Sequence, residues 1–322
     1  MIDPETAYAD ITDEISTVLV GNEDVIEAFT ISVLTGGHVL VEGVPGVAKT
    51  TAADLFANVL GLEHRRLQMT PDMLPADITG THVYHQSTES SELARGPIFS
   101  NAVVVDEITR ATPKAQSALL EAMEEETVTI EGETLSLPDP FIVIATKNSV
   151  ETDGTFDLPK SQRDRFQFTI SMEPPDRDAE RELINRSQLI ESPASDAVSS
   201  VLGPEEIRDL REQVRDVHVA DPIKEYILDI VAAVRESEHV RVGPSPRASL
   251  AFVRAGQARA AIHGRTYVTP DDIKSLRKPI LTHRVVRTSK ARVSDRPADT
   301  VIADALLDIE PPSETTPPNV EA

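Results

Sequence analysis

The first half of the chain alternates short apolar runs with segments of helical period. His38–Glu42 (HVLVE) reads as a strand that enters a glycine-rich turn, and Thr50–Leu60 follows as an amphipathic helix. Arg65–Met69 reads as a second, short strand. Ala102–Asp106 (AVVVD) is apolar up to its final carboxylate. Lys114–Glu126 then puts Ala115, Leu119, Ala122 and Met123 on one helical stripe, with Pro113 suited to the first turn. Thr127–Leu135 alternates around Glu131-Gly132 and predicts a β-hairpin. Phe141–Thr146 (FIVIAT) and Phe166–Ile170 complete five strands. Strands alternating with helices predict an α/β fold, a parallel sheet flanked by helices.

Around Pro174-Pro175 the pattern changes to helices alone: Asp178–Ser187, Glu205–Val217, Pro222–Ser237, Pro246–His263 and Pro270–Leu281. Thr269-Pro270-Asp271-Asp272 has the order of a helix start, cap then proline then acids. The expected organisation is an α/β nucleotide-binding domain over 1–173, an all-helical lid over 174–310 and a disordered tail over 311–322, where apolar residues are lacking.

Strand, then Gly43-Val44-Pro45-Gly46-Val47-Ala48-Lys49-Thr50, then helix is the context of a phosphate-binding loop. Backbone N–H groups of the turn and the helix N-terminus would face phosphates, joined by Thr51 in the first turn. Lys49 would reach the β- and γ-phosphates and the Thr50 hydroxyl would hold Mg²⁺. The usual glycine before the lysine is Ala48 here, so a chance glycine-rich turn is the competing reading of this segment alone. Asp106-Glu107 supplies the second half. At the carboxyl end of a parallel strand, Asp106 is placed to support Mg²⁺ and Glu107 to act as base on the attacking water. A solvated acidic strand end is the competing reading there. Two such motifs in order, each on its own predicted element, point to ATP binding and hydrolysis.

Composition removes several other classes. The chain has 322 residues, enough for a sizeable core, and no cysteine, so disulfides and thiolate metal sites are excluded. His82 and His85 lie in an extended stretch where an offset of three points to opposite faces, against a zinc pair. The N-terminus has no secretory pattern and no apolar run has membrane-spanning length, so a cytoplasmic protein without membrane contact is expected. With 54 acidic and 31 basic residues the formal charge is −23, spread along the chain, and arginine dominates the cations. That surface repels itself at low salt and suits a halophilic cytosol. It offers no basic path for nucleic acid.

The run from Asn101 through AVVVDEITRATPKAQSALLEAMEEETVTIEG, IATKN ending at Asn148 and GTFDLPKSQRDRF ending at Phe166 resembles the MoxR family of AAA+ ATPases. GVPGVAKT, Met69–Gly80 and GPSPRA at Gly243–Ala248 resemble it too, so six separated blocks recur in order within a similarity that runs from about Val20 to Arg287. The resemblance implies a P-loop AAA+ core with a C-terminal helical lid. It makes Asn148 the polar sensor that orients the lytic water, Arg165 the arginine finger serving a neighbouring subunit, and Arg247 the second sensor. Arg163 stands close enough to Arg165 to compete for the finger role. A structural salt bridge is the plainer reading of either Arg165 or Arg247. Val20 and Gly21 match the part that lines the adenine pocket. Ala48 also occurs in phosphate loops of the family, while Thr109 and Ser149 stand where it has Asn and Pro. A trans-acting finger implies a ring, expected as a hexamer. The family's partners imply protein clients with von Willebrand factor A domains and chaperone-like remodelling. The alternatives are a magnesium-chelatase-like ATPase subunit for metal insertion and, against the charge, a nucleic-acid motor.

Overall fold

The computed structural model describes residues 2–85, 90–150, 154–187 and 198–312. Two helices the apolar pattern does not mark come first, α1 (Pro4–Ser16) and α2 (Glu23–Thr35). Asp3 caps α1 by accepting from Thr6 N, and Ala7, Ile11 and Ile15 form its buried stripe. On α2, seven hydrophobic residues from Val25 to Leu34 are buried together with Thr30 and Ser32, so it shows no clean amphipathic period.

Then β1 (Val39–Gly43) leads through the glycine-rich loop into α3 (Lys49–Val59), and β2 (His64–Gln68) follows. Between it and the next sheet strand stand α4 (Pro75–Thr79) and an unanticipated antiparallel hairpin, β3 (Gly80–His85) with β4 (Ser90–Arg95). After β5 (Ala102–Asp106), helix α5 (Pro113–Glu125) returns to the second hairpin, β6 (Thr127–Ile130) and β7 (Glu133–Ser136). Its turn is the expected one, with positive φ at Glu131 (49°) and Gly132 (92°). Next come β8 (Ile142–Asn148), short α6 (Lys160–Arg163) and β9 (Phe168–Met172).

Five strands pair in parallel in the order β2-β5-β8-β1-β9, which centres β8 and β1 and brings their carboxyl ends together. The last strand begins two residues later than Phe166–Ile170. Phe166 is fully buried, but its carbonyl is taken by His283 Nε2 (3.1 Å) and Arg284 Nη2 (2.8 Å), so it is unavailable to the sheet ladder. Conversely β8 runs on through Asn148, which pairs with Gly43.

The second half holds α7 (Arg177–Ser187), α8 (Pro204–Arg215), α9 (Asp221–Glu236), β10 (Val240–Val242), α10 (Pro246–Ile262) and α11 (Pro270–Leu281). It closes with β11 (Val286–Arg287), α12 (Ser289–Val293) and α13 (Ala298–Ala305). It is therefore not helical throughout, since β10 and β11 pair. Thr269 and Asp272 cap α11 reciprocally, and fully buried Asp272 also receives Arg259 (2.7 Å) and Arg265 (2.6 Å). The tail expectation falls on 311–322, of which 313–322 lie outside the described residues. No helix among the described residues is long and apolar enough to cross a membrane.

Alternation along the sheet strands feeds two hydrophobic clusters. Leu40, Val103, Val105 and Val143 face α4 and α5. Val39, Val41, Val104 and Ile144 face a cluster that takes in α1, α2, α3 and most helices of the second half.

Candidate nucleotide site

The loop between β1 and α3 needs its first glycine for space, because a Cβ on Gly43 would lie 2.5 Å from the Met172 carbonyl oxygen. Gly46 sits at φ +86° with open space around it, and Pro45, Gly46 and Ala48 form the loop's exposed side. Val47 is buried and packs near Gly43. Ala48 occupies the left-handed N-cap of α3 at φ 63°, where the usual glycine would be unstrained. Thr50 and Thr51 then stand in the first turn of α3, whose free N–H groups point out of the loop.

Lys49 is buried, and its Nζ donates to Gly43 O (2.9 Å), Val44 O (2.8 Å) and Asn148 Oδ1 (3.1 Å). Burial pulls its pKa down while Asp106 and Glu107 oppose the shift. Asp106 Oδ1 accepts from Thr50 Oγ1 (2.9 Å) and Thr146 Oγ1 (2.6 Å), and Oδ2 accepts from Arg66 Nη2 (2.9 Å). Burial would raise the Asp106 carboxyl, but the hydrogen bonds from Thr146, Arg66 and Thr50 prevail and hold it below its ordinary value.

Glu107 takes up positive φ (55°), a strained setting for a non-glycine residue, and its N–H donates to Thr146 Oγ1 (3.0 Å). Its carboxylate is held from both sides, by Asn148 Nδ2 on Oε1 (2.7 Å) and Arg110 Nε on Oε2 (3.2 Å). Lys49, Thr50, Asp106, Glu107 and Asn148 thus converge at the carboxyl ends of β1, β5 and β8. Thr50 and Asp106 offer adjacent hard oxygens, the donor set that suits Mg²⁺ completed by water and phosphate. Among the described residues no cluster of three His, Cys, Asp or Glu could cage a metal alone.

Four other expected residues lie elsewhere. Val20 and Gly21 form the turn between α1 and α2, with Gly21 at φ 72°. Arg165 and Arg247 lie together at the opposite, amino end of the sheet. Arg165 Nε pairs with Glu124 Oε2 (3.0 Å), its Nη1 donates to Leu120 O (2.6 Å), and Arg247 Nη2 donates to Glu124 Oε1. The amino-end location follows from His38, just before β1, whose Nε2 bonds Met123 O (3.0 Å) and whose carbonyl accepts Gln167 N (2.8 Å). Five strand residues, about 16 Å, separate that end from the chain's own loop between β1 and α3. Arg163 turns another way, beside a cavity of about 320 Å³ shared with Glu42 and Arg287, its buried Nε without a hydrogen-bond partner among the described residues.

Arg66, Thr146 and Arg110 touch the site without any expectation from sequence. Only their place at strand ends or next to Asp106-Glu107 could have marked them.

Residues 38–168 match the profile of the ATPase family associated with various cellular activities (AAA), and residues 232–305 match that of the AAA lid domain. Over 300 residues the chain is 40% identical to Uncharacterized protein YeaC of Bacillus subtilis (strain 168), covering 93% of each. It is 38% identical over 314 residues to Chaperone MoxR1 of Mycobacterium tuberculosis, covering 95% of this chain and 82% of the relative. A crystal structure from Cytophaga hutchinsonii, 34% identical, matches with a TM-score of 0.88 over 95% of each chain.

Proposed function

This chain belongs to the MoxR family of AAA+ ATPases and hydrolyses ATP, and from that premise we propose that it works as a cytoplasmic ring, a hexamer, that remodels client proteins. In this reading Lys49 and the N–H groups of Gly43–Thr51 bind the phosphates, and Val20-Gly21 lines the adenine pocket. Thr50 and Asp106 hold Mg²⁺, which when bound neutralises phosphate charge. Glu107 takes the proton of a water that Asn148 helps to orient, and attack of that water on the γ-phosphorus releases ADP.

The observation that carries the ring is the distance of Arg165 and Arg247 from their own phosphate loop. A guanidinium about 16 Å away at the other end of the strands can serve only a neighbour's nucleotide. Arg165 is our finger and Arg247 the lid's second sensor. Mixing subunits that each lack one half of the site tests this, as argued below.

Clients are proposed to be proteins with von Willebrand factor A domains, supported by the resemblance and by the relative named Chaperone MoxR1. A Glu107→Gln subunit loaded with ATP serves as trap in the native organism. Recovery of such a protein is the expected result, and recovery of chelatase subunits instead would overturn the client assignment. The acid-rich, lysine-poor surface we read as an adaptation to high salt.

A further inference from the structure

We infer that Glu124 is a positioning residue that presents Arg165 and Arg247 as one pair to the neighbouring subunit's nucleotide. The inference rests on those two arginines acting in trans. Each oxygen of the Glu124 carboxylate takes a different arginine, Oε2 that of Arg165 at 3.0 Å and Oε1 that of Arg247. Leu120 O holds Arg165 a second time through Nη1. Each guanidinium is thus fastened along one edge. Arg165 Nη2 and Arg247 Nη1 and Nε have no hydrogen-bond partner among the described residues, and they remain to meet an anion.

The charges favour presentation over sequestration. Two guanidiniums on one carboxylate leave a net positive unit, so Glu124 orders them without cancelling them. A stabilising role is weak, because the side chains of Glu124, Arg165 and Arg247 are 27%, 30% and 49% exposed, and pairs this exposed contribute little to stability. Orientation is the larger gain. Free arginine samples many rotamers, and a charge aimed in advance loses less on meeting the phosphoryl group.

Side-chain ties between their neighbours make the pair one body. Asp164, between Arg163 and Arg165, accepts Arg284 Nε on Oδ1 (2.8 Å) and Ser245 Oγ on Oδ2 (2.6 Å). Ser245 caps α10, whose first turn carries Arg247. At the other end of α5, Gln116 Nε2 donates to Ile108 O (3.0 Å), beside Glu107. One helix of 13 residues therefore joins the subunit's own base to the carboxylate that aims its arginines outward.

The test is Glu124→Ala with Glu124→Gln, a near-isosteric second variant that keeps the fold measurable if alanine does not. Both should bind a fluorescent ATP analogue as the wild type does, assemble normally, and lose roughly 10- to 100-fold in kcat, the scale of a misplaced catalytic group. Mixing either with Glu107→Gln subunits should restore part of the activity. A kcat within twofold of wild type overturns the proposal. So does a loss that mixing cannot repair while Arg165→Ala mixed with Glu107→Gln recovers, because Glu124 would then act inside its own subunit. Failure of that Arg165 control instead removes the trans reading itself.

Discussion

Asn148 and Glu107 are joined by a 2.7 Å hydrogen bond from the side-chain amide to the carboxylate, while the same amide's oxygen accepts Lys49. The proposed base and the proposed phosphate-binding cation are thereby linked through one side chain. Glu107→Gln keeps the shape and the loop, so nucleotide affinity should stay within about twofold while turnover falls roughly 10²–10⁴-fold, the range for a positioned base. Lys49→Ala should weaken binding itself. Fluorescent-nucleotide titration and phosphate release separate the two, and a Gln variant turning over at the wild-type rate would remove Glu107 from the chemistry.

Ala48 at φ 63° carries left-handed strain that glycine does not. That strain costs about 1–2 kcal/mol, and the greater freedom of an unfolded glycine offsets about 0.5–1 kcal/mol of the relief. Ala48→Gly should therefore be neutral to about 1 kcal/mol more stable, with ATP binding intact. A thermal melt showing destabilisation would mean that the Ala48 methyl makes contacts beyond its backbone setting.

If Arg165 acts across a subunit boundary, Arg165→Ala and Glu107→Gln proteins should each be inactive and should partly rescue one another when mixed. Fingers of this kind contribute about 10³–10⁵ in rate, so recovery at mixed interfaces stands well above background. The same experiment with Arg163→Ala should show no such complementation. Mixtures shown by sizing to co-assemble yet remaining inactive would confine Arg165 to its own subunit.

His38 is wholly buried and accepts Val143 N on Nδ1 (3.0 Å), which fixes it as neutral; burial pulls its pKa down to about 4. The unfolded chain binds that proton near pH 6.5 and the fold refuses it until about pH 4, so stability falls as pH drops through this window. The loss from His38 should be on the order of 2 kcal/mol between pH 7 and pH 5. His283, also pulled down by burial, acts in the same direction. Denaturant midpoints across this range should decline, and less steeply in His38→Gln. A flat profile would contradict the neutral, buried ring.

The net charge of −23 should make folding and assembly depend on salt. Between about 0.1 and 1 M KCl the Debye length shrinks from roughly 10 to 3 Å, which screens repulsion across the acidic surface. Circular dichroism and sedimentation should both gain with salt. Equal folding and equal assembly across that series would refute the high-salt adaptation.

The glycine-rich loop between strand and helix, the strand end at Asp106-Glu107 and the five strands were legible because strand burial and turn chemistry are local, carried by contiguous residues. The edge strand was misplaced by two residues because Phe166 looks like a strand residue, while what removes it from the ladder are His283 and Arg284, far along the chain. Helix α2 was hidden by burial on nearly every side, which erases the 3.6-residue period. Thr146, Arg66 and Glu124 were silent for a related reason. Each takes its meaning from a partner that only the sheet order or the return of α5 brings near.

The hydrophobic cluster that includes Val39 and Ile144 continues without a break through Phe29 on α2 into Phe252 on α10 and Ile273 on α11. The interior of the second half of the chain is therefore continuous with that of the first. Cutting the chain near residue 173 would strand apolar faces on both fragments, and neither piece should be obtained as a stable protein. For the same reason any nucleotide-driven motion between the halves has to proceed by sliding of packed helices, with small repacking steps, because swinging open on a hinge would wet a shared interior.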